Sequence, residues 1–145
     1  FGKVNVVTAL RQPGSAIKPV TYVTALKRGY TAAHLLFDVK TEFPGASSDK
    51  PYIPTNYTPE FHGPIQARYA LGSSKNIPAV KMLAEVGLKN MLTVAYDMGL
   101  ETLEPSAENL RRLGLAVTLG GGEIRLLDLS AAYCAFANQG WRISP

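Results

Sequence analysis

The sequence predicts a mainly α fold with at most one or two sheet strands. Three observations carry this. Apolar residues recur at helical spacing in several runs, and most of these runs end at a glycine. Only Val4–Ala9, Val-Asn-Val-Val-Thr-Ala, reads as a clear strand. Between the helical runs, Asp38–Gly63 is rich in Pro, Gly, Ser, Asn and Asp and reads as a long ordered loop.

Each element has its own reason. Val4–Ala9 stops at the Pro13-Gly14 turn. Ser15–Arg28 reads as a helix closed by Gly29, with Pro19 in the first turn, where a missing N–H costs nothing. Thr31–Phe37 reads as a short helix capped by Thr31. Tyr52, Tyr57 and Phe61 are expected to pin the long loop, with a groove-lining role as the alternative. Pro64–Gly72 reads as a helix with proline in its first turn. Asn76–Val86 and Leu88–Met98 follow, ending at Gly87 and Gly99, and Ser106–Arg112 is a short polar helix. Leu113–Gly122 is strand-like with three glycines, read as a tight turn or a close backbone approach, because no phosphate-loop pattern surrounds them. Ile124–Asn138 is the last helix, and within it Cys134 reads as a small buried hydrophobe.

The chemistry starts at Arg11-Gln-Pro-Gly-Ser15-Ala-Ile-Lys18-Pro19. Residues three apart on a helix share a face, roughly 5–6 Å apart at Cβ, so Lys18 can serve as base for a Ser15 nucleophile. The helix N-terminus adds donors that favour an oxyanion. Ser-x-x-Lys alone is weak, and Ser47/Lys50 matches it too. That second match sits in a turn-rich run without apolar periodicity and reads as solvated loop. Ser15 is followed by Val20, Val23, Ala25 and Leu26, which suits the rigid, dry setting a nucleophile needs. Downstream, Ser74-x-Asn76 lies between two helical runs. Its plain reading is helix capping by Ser73, Ser74 or Asn76. Its functional reading is a hydroxyl that relays a proton and an amide that holds Lys18 or a substrate carbonyl.

Together these pieces make the chain recognisable. It resembles the transpeptidase domain of class A penicillin-binding proteins through Arg11–Pro19, Pro54-Thr-Asn-Tyr57, Phe61-His-Gly-Pro64, Arg68-x-Ala-Leu71 leading into Ser74-x-Asn76, Ile77-Pro-Ala-Val-Lys81, Leu119-Gly-Gly-Gly122, Asp128-Leu-Ser-Ala-Ala-Tyr133 and Phe136-Ala-Asn-Gln-Gly140. The pieces run in the family's order through nearly the whole chain. The resemblance implies the helical subdomain of the penicillin-binding, serine β-lactamase-like α/β fold, with the glycine run near its cleft. It implies Ser15 as nucleophile, Lys18 as base, Ser74 as relay and Asn76 as orienting amide. It implies peptidoglycan stem peptides and β-lactams as partners, no cofactor, and the extracytoplasmic face of a bacterial membrane, with an upstream anchor and glycosyltransferase domain.

The family's third motif, Lys-Thr/Ser-Gly, is absent; Lys40-Thr41 is followed by Glu42. In the family that strand binds the substrate carboxylate and gives one of two oxyanion-hole amides, the other coming from the nucleophile. Losing one such donor costs ~10²–10³ in rate. Residues 1–145 therefore read as a partial transpeptidase domain, inactive alone, whose uncovered apolar helix faces favour self-association. A serine β-lactamase, a D,D-carboxypeptidase and a non-catalytic penicillin-sensing or interaction module remain alternatives.

Composition excludes other classes. The 145 residues are 46% hydrophobic and 18% charged, with net charge +4. The basic residues are scattered without interleaved aromatics, which argues against nucleic acid. No apolar run approaches the ~20 residues of a membrane span. One cysteine and two histidines offer no convincing zinc site. The chain opens at Phe1 without an initiator Met and reads as cut from something longer.

Overall fold

A computed structural model describes residues 4–45 and 50–144. It is mainly helical, as expected. The helices are α1 (Lys18–Lys27), α2 (Ala67–Gly72), α3 (Asn76–Val86), α4 (Leu88–Asp97), α5 (Ala107–Leu113) and α6 (Leu126–Ala137). The strands form two separate antiparallel pairs: β1 (Leu10–Arg11) with β4 (Ile124–Arg125), and β2 (Leu35–Asp38) with β3 (Gly63–Gln66).

α1 and α3 form the centre. Ile17, Val20 and Ala25 meet a cluster that includes Ala79, Leu83 and Val86 of α3 and Met91, Leu92 and Ala95 of α4. The α3 and α4 boundaries follow the sequence closely. Gly87, at φ +86°, ends one helix and starts the other, a geometry glycine adopts without a Cβ penalty. α5 also forms where expected, with Ser106 Oγ accepting the Asn109 N–H at 3.2 Å.

Four expectations change. Residues 4–9 are not a strand but lead through a turn at 6–9, and the strand begins at Leu10, where Leu10 and Arg11 pair with Arg125 and Ile124. Thr31–Phe37 is no helix: a run this short cannot nucleate one against a competing strand partner, and Leu35–Asp38 pairs with Gly63–Gln66 instead. Leu36 and Asp38 face inward and Leu35 and Phe37 outward, the period-2 pattern of a strand. For the same reason Pro64–Gly72 begins as β3 and turns helical only at Ala67. Leu113–Gly122 is not a strand. Gly114–Leu119 coils as a 3-10 helix ended by Gly120 at φ +96°.

Two side-chain expectations also fail. Cys134 is exposed, because α6 is apolar nearly all round and buries only Ala132 and Ala135. Tyr57 and Phe61 are exposed and pin nothing into the core. Tyr52 alone of the three is half-buried, in a bridge to Phe43. The loop is held by polar contacts instead.

Candidate active site

The turn carrying Ser15 is tighter than an α-helix. Gly14–Ile17 forms a 3-10 turn that runs straight into α1. Its position is fixed from two sides. A Cβ on Gly120 would lie 2.3 Å from the Gly14 backbone nitrogen, so the glycine run packs directly on the turn before Ser15. The Tyr133 hydroxyl of α6 donates to the Ala16 carbonyl at 2.7 Å. One turn into α1, the Thr21 and Thr118 hydroxyls meet at 2.7 Å in the core. The three glycines thus serve the close approach that was one reading of them.

Lys18 is the most unusual residue in the structure, a lysine only 1% exposed. Its Nζ donates to the Ser74 carbonyl at 2.6 Å, to Asn76 Oδ1 at 2.7 Å and to Ser74 Oγ at 3.1 Å. All its donors can therefore be used, which a buried ammonium requires. Burial still lowers its pKa from 10.5 to about 8. That raises the neutral fraction at pH 7 by roughly 300-fold over an ordinary lysine. Among the described residues, no hydrogen bond joins Lys18 to the Ser15 hydroxyl. Ser15 is exposed at the mouth of the site, one turn before the base.

Ser74 reaches Lys18 through backbone strain. Its N–H bonds the Leu71 carbonyl at 2.9 Å and the Lys75 N–H bonds the Ala70 carbonyl at 2.9 Å. That pair is the Schellman closure of α2, whose left-handed position usually holds glycine. Here it holds Ser74, at φ +52°. A non-glycine residue in this region costs about 1 kcal/mol. The strained turn aims both the Ser74 carbonyl and hydroxyl at Lys18.

The capping reading of Ser73, Ser74 and Asn76 does not describe α3. Its N-cap is Lys75, without a side-chain cap bond. The Asn76 and Ile77 N–H groups donate to Asn56 Oδ1 at 3.0 and 3.4 Å. Asn76 Nδ2 donates to the Thr55 carbonyl at 2.8 Å, which turns its Oδ1 toward Lys18. The sequence pattern Pro54-Thr-Asn-Tyr57 marked this loop without assigning Asn56 a role. Its partners lie some twenty residues away and carry no local signature. The structure thus brings Lys18, Ser74 and Asn76 together, with Ser15 one turn from Lys18. Of the rival match, Lys50 is an exposed residue outside this group and Ser47 lies outside the described residues.

The family profile of the penicillin binding protein transpeptidase domain matches residues 3–145. The chain belongs to this family. It is 39% identical over 139 residues to penicillin-binding protein 1A of Aquifex aeolicus, covering 96% of this chain and 18% of that protein. It is 40% identical over 141 residues to penicillin-binding protein 1C of Escherichia coli, covering 97% of the chain and 17% of the relative. The crystal structure of penicillin-binding protein 1A from Haemophilus influenzae superposes with a TM-score of 0.86 at 30% identity, over 99% of this chain and 21% of that one. The penicillin-binding family is thus shown along the whole chain, which spans less than a fifth of the length of these two curated relatives. The low-strand, helix-rich architecture is that of a helical portion of the transpeptidase fold.

Proposed function

We propose that this chain is part of a peptidoglycan D,D-transpeptidase that works through a serine acyl-enzyme. The observation that carries this is the buried Lys18 ammonium held by Ser74 and Asn76 at 2.6–3.1 Å, one turn from Ser15. In the forward step, neutral Lys18 takes the Ser15 proton as Oγ attacks the carbonyl of a D-alanyl-D-alanine stem. The tetrahedral intermediate collapses, and the proton passes through the Ser74 hydroxyl to the departing amine. Asn76 keeps Lys18 oriented and binds the substrate backbone. The acyl group then moves to an amine of a neighbouring stem, cross-linking the wall. A β-lactam acylates the same oxygen, and its ring nitrogen stays tethered as the leaving group.

Stem peptides and β-lactams are the partners this reading names, and the extracytoplasmic face of the cell membrane is its place. Among the described residues no helix is long and apolar enough to cross a membrane. The sequence has no Lys-Thr-Gly or Lys-Ser-Gly. The proposal therefore assigns transpeptidation to a longer protein that supplies this strand, and not to residues 1–145 alone. The exposed α6 side chains Leu126, Leu127 and Phe136 then favour pairing of this chain with a second copy.

Benzylpenicillin followed by intact-mass analysis tests the reading in the full-length protein. One penicilloyl adduct on the peptide containing Ser15 is expected, and none in Ser15→Ala. Full labelling of that variant sinks the assignment. Turnover of nitrocefin instead of a lasting adduct points to a hydrolase.

A further inference from the structure

Asp38, the last residue of β2, is a fully buried carboxylate. The groups that face it are the His62 ring, whose Nδ1 lies 3.2 Å from Oδ2, and Lys81 of α3, whose pKa burial lowers while Asp38 and Glu85 raise it. Lys75 reaches it only through His62, with Nζ 3.2 Å from Nε2. The His62 N–H donates to Asp38 Oδ2 at 3.1 Å. The other oxygen, Oδ1, accepts from Asn56 Nδ2 at 2.8 Å.

Asn56 Nδ2 also donates to the Glu60 carbonyl at 3.2 Å, and the shorter bond to Asp38 is the more buried of the two that decide how Asn56 sits. A carboxylate only accepts, so the Asn56 carboxamide must turn its NH₂ toward Asp38 and its oxygen away. That oxygen receives the Asn76 and Ile77 N–H groups at the start of α3. The neighbouring Thr55 carbonyl takes the Asn76 side-chain NH₂. Consecutive loop residues thus hold both the backbone and the side chain of Asn76, and leave Asn76 Oδ1 for Lys18.

We propose that Asp38 and Asn56 are positioning residues of the acyl-transfer site: the buried Asp38 carboxylate orients Asn56, which holds Asn76 against the Lys18 ammonium. The proposal rests on the reading of Lys18 as the base. It explains why a carboxylate with no chemistry of its own lies buried beside a loop that touches the site. Losing the anchor loosens Asn76 and the loop, admits water to Lys18 and moves its titration upward.

An exchange of the two groups tests this in the full-length protein. Asn56→Asp sets two carboxylates face to face. Asp38→Asn puts an NH₂ against either Asn56 or the His62 N–H. The double variant Asp38→Asn/Asn56→Asp restores the path from His62 to α3 and gives up only the 3.2 Å bond to the Glu60 carbonyl: the carboxamide at 38 accepts from His62 and donates to the carboxylate at 56, whose second oxygen caps α3. Each single change is expected to slow benzylpenicillin acylation about 10- to 100-fold, and to shift the rise of its rate near pH 8 to higher pH. Each is expected to speed hydrogen exchange of the Asn76 and Ile77 amides. The double variant is expected to return both readouts close to wild type. Unchanged pH profiles and exchange in the singles overturn the proposal, and so does a double variant as impaired as the worse single. If the unaltered protein takes up no benzylpenicillin, the transpeptidase reading fails, and the exchange data still decide the anchor.

Discussion

At one end of α1 a lysine is buried, while on α6 Leu126, Leu127, Tyr133 and Phe136 lie open to solvent. Both regions run against the usual sorting of side chains, in opposite senses. The difference lies in what surrounds them. Around Lys18 the Ser74 carbonyl, the Ser74 hydroxyl and Asn76 Oδ1 all take its donors, and a strained serine and a remote loop residue are spent on arranging them. Around α6 less is arranged: a mostly apolar groove lined by Val23, Val94, Met98, Ala135 and Phe136, together with Lys27, Asp97 and Arg142, lies beside it. A buried cation with satisfied partners fits the chemistry proposed for Lys18. An uncovered apolar face fits the pairing proposed for α6.

The contrast is broken most severely at Lys18. Lys18→Met is expected to reduce penicillin acylation at least ~10³-fold, since it removes the base. It also changes the pH dependence of folding. The folded pKa of about 8 lies below the unfolded 10.5. The unfolded state therefore binds more protons between these values, and stability rises with pH across that window. Urea titrations at intervals from pH 7 to 11 should show wild type gaining roughly 2–3 kcal/mol relative to Lys18→Met. A flat difference means the ammonium is hydrated and the site is open.

Ser74→Gly sharpens the same point with a smaller effect. Relief of the φ +52° strain should stabilise the protein by about 1 kcal/mol in thermal melts, offset in part by the lost Oγ bond to Lys18. Acylation should fall in the same variant. Destabilisation instead would show that the hydroxyl, and not the backbone, dominates there. On α6 the expected change is smaller still. Leu126→Ser, at a side chain 51% exposed, should leave stability within about 0.5 kcal/mol. It should reduce any concentration-dependent rise in mass seen by light scattering of the 145-residue chain. An unchanged dependence takes this face out of self-association.

The legible parts of the sequence were those with local causes. Asn76–Val86 and Leu88–Asp97 follow from apolar spacing and a glycine between them. Ser15, Lys18, Ser74 and Asn76 stand out because two short patterns occur in family order. The β2–β3 pair was hidden because Leu35 meets Gln66, far along the chain, and no turn signal joins them. Asp38, Asn56 and His62 were hidden for a related reason. Asn56 and His62 stood in segments that carry the resemblance but had no role assigned, Asp38 stood in none, and only the fold places them in one network. Cys134 misled because a helix apolar on every side does not reveal which side is covered.

The bond from Tyr133 to the Ala16 carbonyl ties the two regions together. It is a strut between the uncovered helix and the residue that follows Ser15. A partner that docks on α6 and displaces Tyr133 therefore acts on the Ser15 turn as well. Reciprocity then requires the reverse for reversible binding: a non-covalent ligand whose seating shifts the turn must alter the affinity of that partner by the same factor. Occupancy of one face and occupancy of the other then become two readings of a single coupled equilibrium.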